Sequence, residues 1–311
     1  RPAATTQYGE TCLAERKVHP IFHHFERFHD EVDGIFHYDY LGVRTDPKFW
    51  RNTNVTPRGR HLRDYPMVGE QYFEWVFVAE TAWECRHRNS FTMIELGAGY
   101  GTWLLRAHHS FRQLSDRPVY LIGVEGDVHH YQWMREHFLN NRIDPDQHHL
   151  INACVSDSEG MMAFMDSDNP DAEYGLKGLR EDDQHKFLED EKPGHTFVDD
   201  SGQRYRTIRA ITLNRLLEDL DRVDLIHMDI EGYEFRVVSQ SIKALNEKAA
   251  RLLIGTHSPA IESALTQILK TEGWTLLYDF AQGEATETEW GPIQFRNGCQ
   301  AWLNPRMLEH T

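Results

Sequence analysis

The sequence predicts an α/β fold with a parallel sheet covered by helices on both faces, and three stretches carry that prediction. Residues 91–96 (FTMIEL) are a strand-forming apolar run that opens into Gly97, Gly99 and Gly101; Trp103, Leu104, Ala107, Phe111 and Leu114 then recur at helical spacing. Residues 119–125 (VYLIGVE) and 223–229 (VDLIHMD) are two further apolar runs, each ending in an acid. Strands buried on both faces read this way, and side chains at their carboxyl ends border the crevice where doubly wound sheets bind ligands. Glycine there lets the main chain turn sharply and approach a ligand.

Residues 1–66 form an N-terminal extension, a candidate acceptor-binding or oligomerisation segment ahead of a domain spanning 67–311. Within it, His19 and His23 stand four apart, a spacing that can share a metal, but Pro20 intrudes and no acidic ligand accompanies them. A solvated or packed aromatic-histidine segment is the expectation. Residues 45–66 carry Asp46-Pro47, Pro57-Arg58-Gly59 and Tyr65-Pro66, the turn signals of a connecting loop. Tyr72, Val76, Ala79 and Trp83 then mark one helix face leading into the 91–96 strand.

A helix with Tyr131, Met134 and Phe138 on its inner face follows the 119–125 strand. Residues 149–156 predict a third strand, with a short one at 161–165 beside it. An acidic insertion runs over residues 166–200 and includes Glu181, Asp182, Asp183, Glu189, Asp190 and Glu191. A segment this long is either a cover for substrate or a surface loop. The alternation resumes with a strand and short helix from 205, the 223–229 strand, and a helix face of Phe235, Val238, Ile242 and Leu245. A strand at 251–256, a helix at 261–269 and strands at 274–280 and 300–304 complete the domain.

Composition excludes some functions. A formal charge of -16 argues against a nucleic-acid-wrapping protein, which needs clustered Lys and Arg. No run of about 18 apolar residues occurs, so no membrane partner is expected. Cys12, Cys85, Cys154 and Cys299 are far apart and form no CxxC pair, which reads as reduced thiols in a cytoplasmic protein. A chain that opens on Arg1 leaves a removed targeting segment open.

The glycine loop gains meaning from its neighbours. Glu95 stands two residues before Gly97, and Thr102 occupies the place where a nicotinamide fingerprint has its third glycine. No Lys-Ser/Thr pair follows, which disfavours a P-loop. An acid at Glu95 would repel a pyrophosphate but suits a cofactor with an ammonium and a sulfonium, as in S-adenosylmethionine. Glu125, 24 residues past Gly101, can accept hydrogen bonds from two ribose hydroxyls. Taken singly, each acid could instead serve a helix N-terminus.

These motifs resemble the FkbM family of class I S-adenosylmethionine-dependent methyltransferases. The likeness rests on IELGAGYG (94–101), Val124-Glu125, NACVSD (152–157) and, most specifically, DLIHMDIEGYE (224–234), which is similar to the family hallmark DLIKIDVEGAE. It covers residues 70–305 and implies a Rossmann-like sheet of seven strands, the last antiparallel. It also implies O-methylation of a small molecule, sugar or natural product. Carried over, Glu95, Gly97, Ala98, Gly99, Tyr100 and Gly101 line the methionine end of S-adenosyl-L-methionine, Glu125 holds the ribose, Ser156 and Asp157 hold the adenine, and Asp229 borders the reactive end. The hallmark lysine is His227 here, so no role copied from the lysine carries over.

An aligned hydroxyl needs a base, or a divalent metal that lowers its pKa. Asp229, Glu231 and His257 are the candidates, with His257 or Asp229 the expected base. Asp229 is also the candidate ligand for Mg2+, which resemblance to macrolide sugar methyltransferases allows. Glu231 and Glu234 could instead cap the following helix. The expected partner is a small-molecule or glycosyl hydroxyl acceptor, with self-association open. Two other readings stand beside this one, a non-catalytic ligand-binding protein and an NAD-dependent oxidoreductase. The pairs His108-His109, His129-His130 and His148-His149 are expected on solvated surfaces.

Overall fold

The computed structural model describes residues 17–179 and 192–308. Residues 1–16, with Cys12, and the insertion acids Glu181, Asp182, Asp183, Glu189, Asp190 and Glu191 lie outside the described residues.

The main sheet consists of β1 (Phe91–Leu96), β2 (Val119–Glu125), β3 (His149–Asn152), β4 (Leu225–Met228), β5 (Arg251–Thr256), β6 (Thr275–Phe280) and β7 (Gly298–Leu303). Their spatial order is β6-β7-β5-β4-β1-β2-β3. The strands from β1 to β5 pair in parallel, whereas β7 runs antiparallel between β5 and β6. The expected seven strands with a reversed last one are therefore present. The chain leaves β1 towards β2 and β3, then returns to β4 on the other side of β1. That reversal opens a crevice at the carboxyl ends of β1 and β4.

Alternation along the strands sorts the core into two layers. Phe91 and Met93 of β1 point into a layer with α1 (Tyr72–Cys85), α2 (Thr102–Leu114) and α3 (Val128–Asn140). Ile94 and Leu96 point the other way, towards α4 (Leu213–Leu217), α5 (Glu234–Lys248) and α6 (Pro259–Thr271). Glu95 consequently lies on the α2 side of the sheet.

Phe22, Phe25, Tyr40, Leu41 and Val43 of the N-terminal extension join the α1–α2 layer. The Tyr40 ring lies 5.0 Å from Trp75 and Phe22 lies 5.7 Å from Tyr72. The stretch expected as a plain connecting loop contains a strand, Gly59–Leu62, paired with His29–Val32, because backbone pairing overrides its turn-rich composition.

The predicted single strand at 149–156 is two. β3 ends at Asn152, and Cys154–Ser156 leaves the main sheet to pair in parallel with Arg204–Thr212. Gly160–Met165 pairs antiparallel with that same long strand, so a small second sheet stands over the carboxyl end of the main one. No helix among the described residues is long and apolar enough to cross a membrane.

Candidate active site

The glycine loop is fixed by main-chain bonds. Gly97 and Ala98 both donate to the carbonyl of Val124 at 3.0 Å, which ties the loop to the end of β2. Gly97, Gly99 and Gly101 have φ of +75°, +53° and +74°, a region that favours glycine. Gly101 is the residue on which α2 starts.

Glu95 is buried, and its carboxylate accepts from the N–H groups of Trp103 at 3.4 Å and Leu104 at 3.0 Å. It thus satisfies orphan donors of the α2 N-terminus. Burial raises its pKa to about 7, partly opposed by His227 and by those two N–H groups. Glu125, also buried, accepts from Gly99 N–H and Asp127 N–H, both at 2.7 Å. Burial raises its pKa too, against the nearby His130. Both acids therefore hold the local backbone while facing the same cavity.

That cavity has a volume of about 530 Å³ and is floored by Glu95, Gly97, Ala98, Gly99 and Tyr100, walled by Glu125, and closed at one end by Asp229. Ala153, Cys154 and Val155 line it, but Ser156 and Asp157 do not. The chain has already turned into the second sheet at Cys154, leaving Ser156 to donate to Asp157 at 3.2 Å and Asp157 to lie 3.6 Å from Arg236. Ser156 and Asp157, expected beside the adenine, therefore stand next to the cavity rather than in its lining.

The insertion contributes a cover. Tyr174 stacks face to face on His130, with centroids 4.1 Å apart and planes at 5°, and its hydroxyl donates to the Phe49 carbonyl. His130 donates from Nε2 to the Pro170 carbonyl at 2.8 Å and is buried, which corrects the solvated reading of that histidine. Arg51 of the extension forms a two-pronged ion pair with Asp171 at 3.0 Å. Tyr100 sits under the cover, 5.7 Å from Tyr174 and 5.5 Å from Phe49. Sequence reasoning missed Tyr174 and His130 because nothing local marks a ring that binds across 44 residues of chain.

At the far end, β4 and β5 bring Asp229, Glu231 and His257 together. His257 Nε2 lies 3.2 Å from Asp229 Oδ1 and 3.5 Å from Glu231 Oε1, while Nδ1 lies 2.8 Å from Glu234 Oε1. Glu234 is fully buried and also accepts from Ile230 and Gly232 N–H at 3.3 and 3.0 Å, so it closes the turn before α5. Burial works to lower the pKa of His257, but the three carboxylates outweigh it and push the value up to about 12. The same three carboxylates make His257 Nε2 a place for a cation, whether a proton or a metal ion. For Asp229, burial works to raise the pKa, and its two histidine neighbours outweigh that to leave it lowered.

Behind them, His227 Nε2 lies 3.2 Å from Glu74 Oε1 and Nδ1 lies 3.8 Å from Glu95. A second cavity of about 340 Å³, lined by Glu70, Glu74, Asn297 and Cys299, shares Gln71, Trp103 and Asp229 with the first. At the N-terminal histidines, His19 Nδ1 accepts from Ile21 N–H at 3.3 Å as a helix cap. Among the described residues, the cluster able to share a metal is Asp229, Glu231 and His257.

A parallel sheet with β7 reversed, and a crevice where β1 and β4 diverge, define a Rossmann-like methyltransferase fold. Residues 96–272 match the methyltransferase FkbM domain, over half of the chain, and the chain belongs to that family. A Jannaschia sp. (strain CCS1) protein, named provisionally as a methyltransferase, is 26% identical over 245 residues, 78% of this chain and 82% of that protein. The FkbM methyltransferase from Methylobacillus flagellatus KT is 14% identical, with a TM-score of 0.37 over 69% of this chain and 44% of that one. The human METTL16 N-terminal domain in complex with SAH is 12% identical, with a TM-score of 0.39 over 77% of this chain and 72% of that one.

Proposed function

We infer that this methyltransferase uses S-adenosyl-L-methionine to methylate a hydroxyl of a small molecule, sugar or natural product. The observation that carries the reading is a pair of cavities meeting at Asp229. One has the glycine floor and acids suited to a donor; the other is open to an acceptor. Glu95 faces the place for an ammonium, and Glu125 the place for ribose hydroxyls. The cofactor supplies an activated methyl group when bound. The chain's own task is to hold the acceptor oxygen in line and to take its proton.

Asp229 is the residue assigned to that proton, because it lines both cavities. His257 and Glu231 position it from β5 and from the turn before α5. The acceptor cavity carries Glu70, Glu74 and Asp229 against one cation, Arg296, which Glu70 already pairs at 3.3 Å; this acidic excess disfavours phosphorylated acceptors and, with the net charge of -16, nucleic acid. Family membership sets aside the oxidoreductase reading.

Calorimetry with S-adenosylhomocysteine tests the cofactor: heat with that ligand and none with NAD is expected, and the reverse would sink the reading. Release of S-adenosylhomocysteine over a panel of sugars and hydroxylated small molecules tests the acceptor. Turnover confined to amines would overturn O-methylation. No turnover on any acceptor, beside intact cofactor binding, would favour the non-catalytic alternative.

A further inference from the structure

We propose that Asp229, Glu231 and His257 bind a first-row transition-metal dication, of the Mn2+ or Zn2+ kind, at the junction of the two cavities. Each residue offers one donor atom, and the donors lie within 4.8 Å of one another. Donors about 2.1 Å from an ion stand roughly 3.0–3.4 Å apart in octahedral or tetrahedral geometry. His257 Nε2 already lies 3.2 Å from Asp229 Oδ1 and 3.5 Å from Glu231 Oε1.

Three further features support the assignment. The opposite ring nitrogen of His257 is held by Glu234 at 2.8 Å, and Glu234 is itself fixed by two backbone N–H groups. A carboxylate on the far nitrogen is how proteins orient a histidine ligand and raise its basicity. Asp229 Oδ1 is buried, and its 3.2 Å approach to His257 Nε2 is not matched by a hydrogen bond from any other group among the described residues. Glu231 has a φ of +53°, a backbone conformation rarely taken by a residue other than glycine, and this turns its carboxylate back towards β5. Three carboxylates thus surround one imidazole, and among the described residues no lysine or arginine forms an ion pair with them.

The donor set decides the class of metal. Mg2+ prefers oxygen ligands and keeps several waters, whereas imidazole with two carboxylates suits Mn2+, Fe2+, Zn2+ and their neighbours. The Mg2+ expected at Asp229 is accordingly replaced by an ion that accepts nitrogen. Its use in catalysis rests on the methyl-transfer reading, since an ion here would bind the acceptor oxygen and lower its pKa.

The test titrates Mn2+ into the chelator-treated, desalted full chain and follows the electron paramagnetic resonance signal of free Mn2+. Zn2+ and Mg2+ serve as competitors, and S-adenosylhomocysteine calorimetry is run on the same sample. One Mn2+ bound per chain is expected, displaced by Zn2+ and hardly by a large excess of Mg2+. His257→Ala and Glu231→Gln should each weaken binding at least about ten-fold, and Glu234→Gln roughly 10–100-fold. Binding unchanged by His257→Ala and Glu231→Gln, substoichiometric binding, or displacement by equal Mg2+ would each overturn the site. If His257→Ala does not fold, Glu231→Gln decides, because its parent side chain is a quarter exposed. Loss of the Mn2+ result beside intact S-adenosylhomocysteine binding would sink the metal alone; loss of the latter would sink the cofactor reading.

Discussion

A Cβ placed on Gly97 would lie 1.8 Å from the carbonyl oxygen of Asp229. The first glycine of the loop and the acid at the end of β4 are therefore packed backbone to backbone, and their closeness sets the width of the crevice. Gly97→Ala should destabilise the protein by about 3 kcal/mol or more, since it combines a backbone clash with a left-handed φ. Thermal unfolding would show a midpoint lowered by roughly 4–5 °C or more. Gly69→Ala is the control: beyond its chain neighbours, the nearest atom to a Cβ there is the Met67 carbonyl oxygen at 3.9 Å, and a change within about 0.5 kcal/mol is expected. Equal behaviour of the two variants would refute the close packing.

Glu125 has a double duty, accepting from Gly99 and Asp127 N–H while facing the cavity. Glu125→Ala should weaken S-adenosylhomocysteine binding roughly 10–100-fold, the scale of a charged acceptor lost to a ligand. Glu125→Gln, which keeps one acceptor oxygen, should fall between the two. Unaltered calorimetric affinity in the Ala variant would place the ribose elsewhere.

The sequence made the crevice legible because its parts are local. β1, the glycine loop and α2 are contiguous, and the strands 119–125 and 251–256 have the same bounds in the structure as in the reading. What stayed hidden depends on distant partners. Nothing in residues 149–157 signals that β3 stops at Asn152, since the partner of Cys154–Ser156 begins some fifty residues later. Tyr174 looked like part of an acidic loop, yet its ring is seated by His130 and Phe49. His257 was legible as a site residue, but the way its ring is held was not, because that contact depends on Glu234 arriving from α5.

Tyr174 should govern cofactor retention more than stability. Its ring covers Gly99, approaching to 3.3 Å of a notional Cβ there, and stacks on His130. Tyr174→Ala should weaken S-adenosylhomocysteine binding about 2–10-fold, the range of a stacked aromatic contact, mainly through faster release. Tyr174→Phe keeps the stack and loses only the bond to the Phe49 carbonyl, so it should stay near the parent. Stopped-flow dissociation rates that match in the parent and the Ala variant would dismiss the cover.

The row of half-buried Glu74 and buried His227 and Glu95 should make stability fall as pH rises. Burial lifts Glu95 from 4.5 to about 7. Burial works to lower the pKa of His227, but Glu74 and Glu95 outweigh it, and the value ends raised. Both groups then hold protons more tightly in the folded chain than in the unfolded one. Between about pH 4.5 and 7 the folded state holds the extra Glu95 proton, and above about pH 6.5 it holds that of His227, so their contribution is present on the acid side and lost as pH climbs. Glu95→Gln removes one titrating partner and costs a constant amount for the missing acceptor at Trp103 or Leu104, leaving the pH slope as the readout. Urea unfolding should show the variant gaining on the parent by on the order of 1–3 kcal/mol between pH 5 and pH 8. Parallel curves would mean that Glu95 is already ionised at the acid end, and that His227 neutralises it throughout.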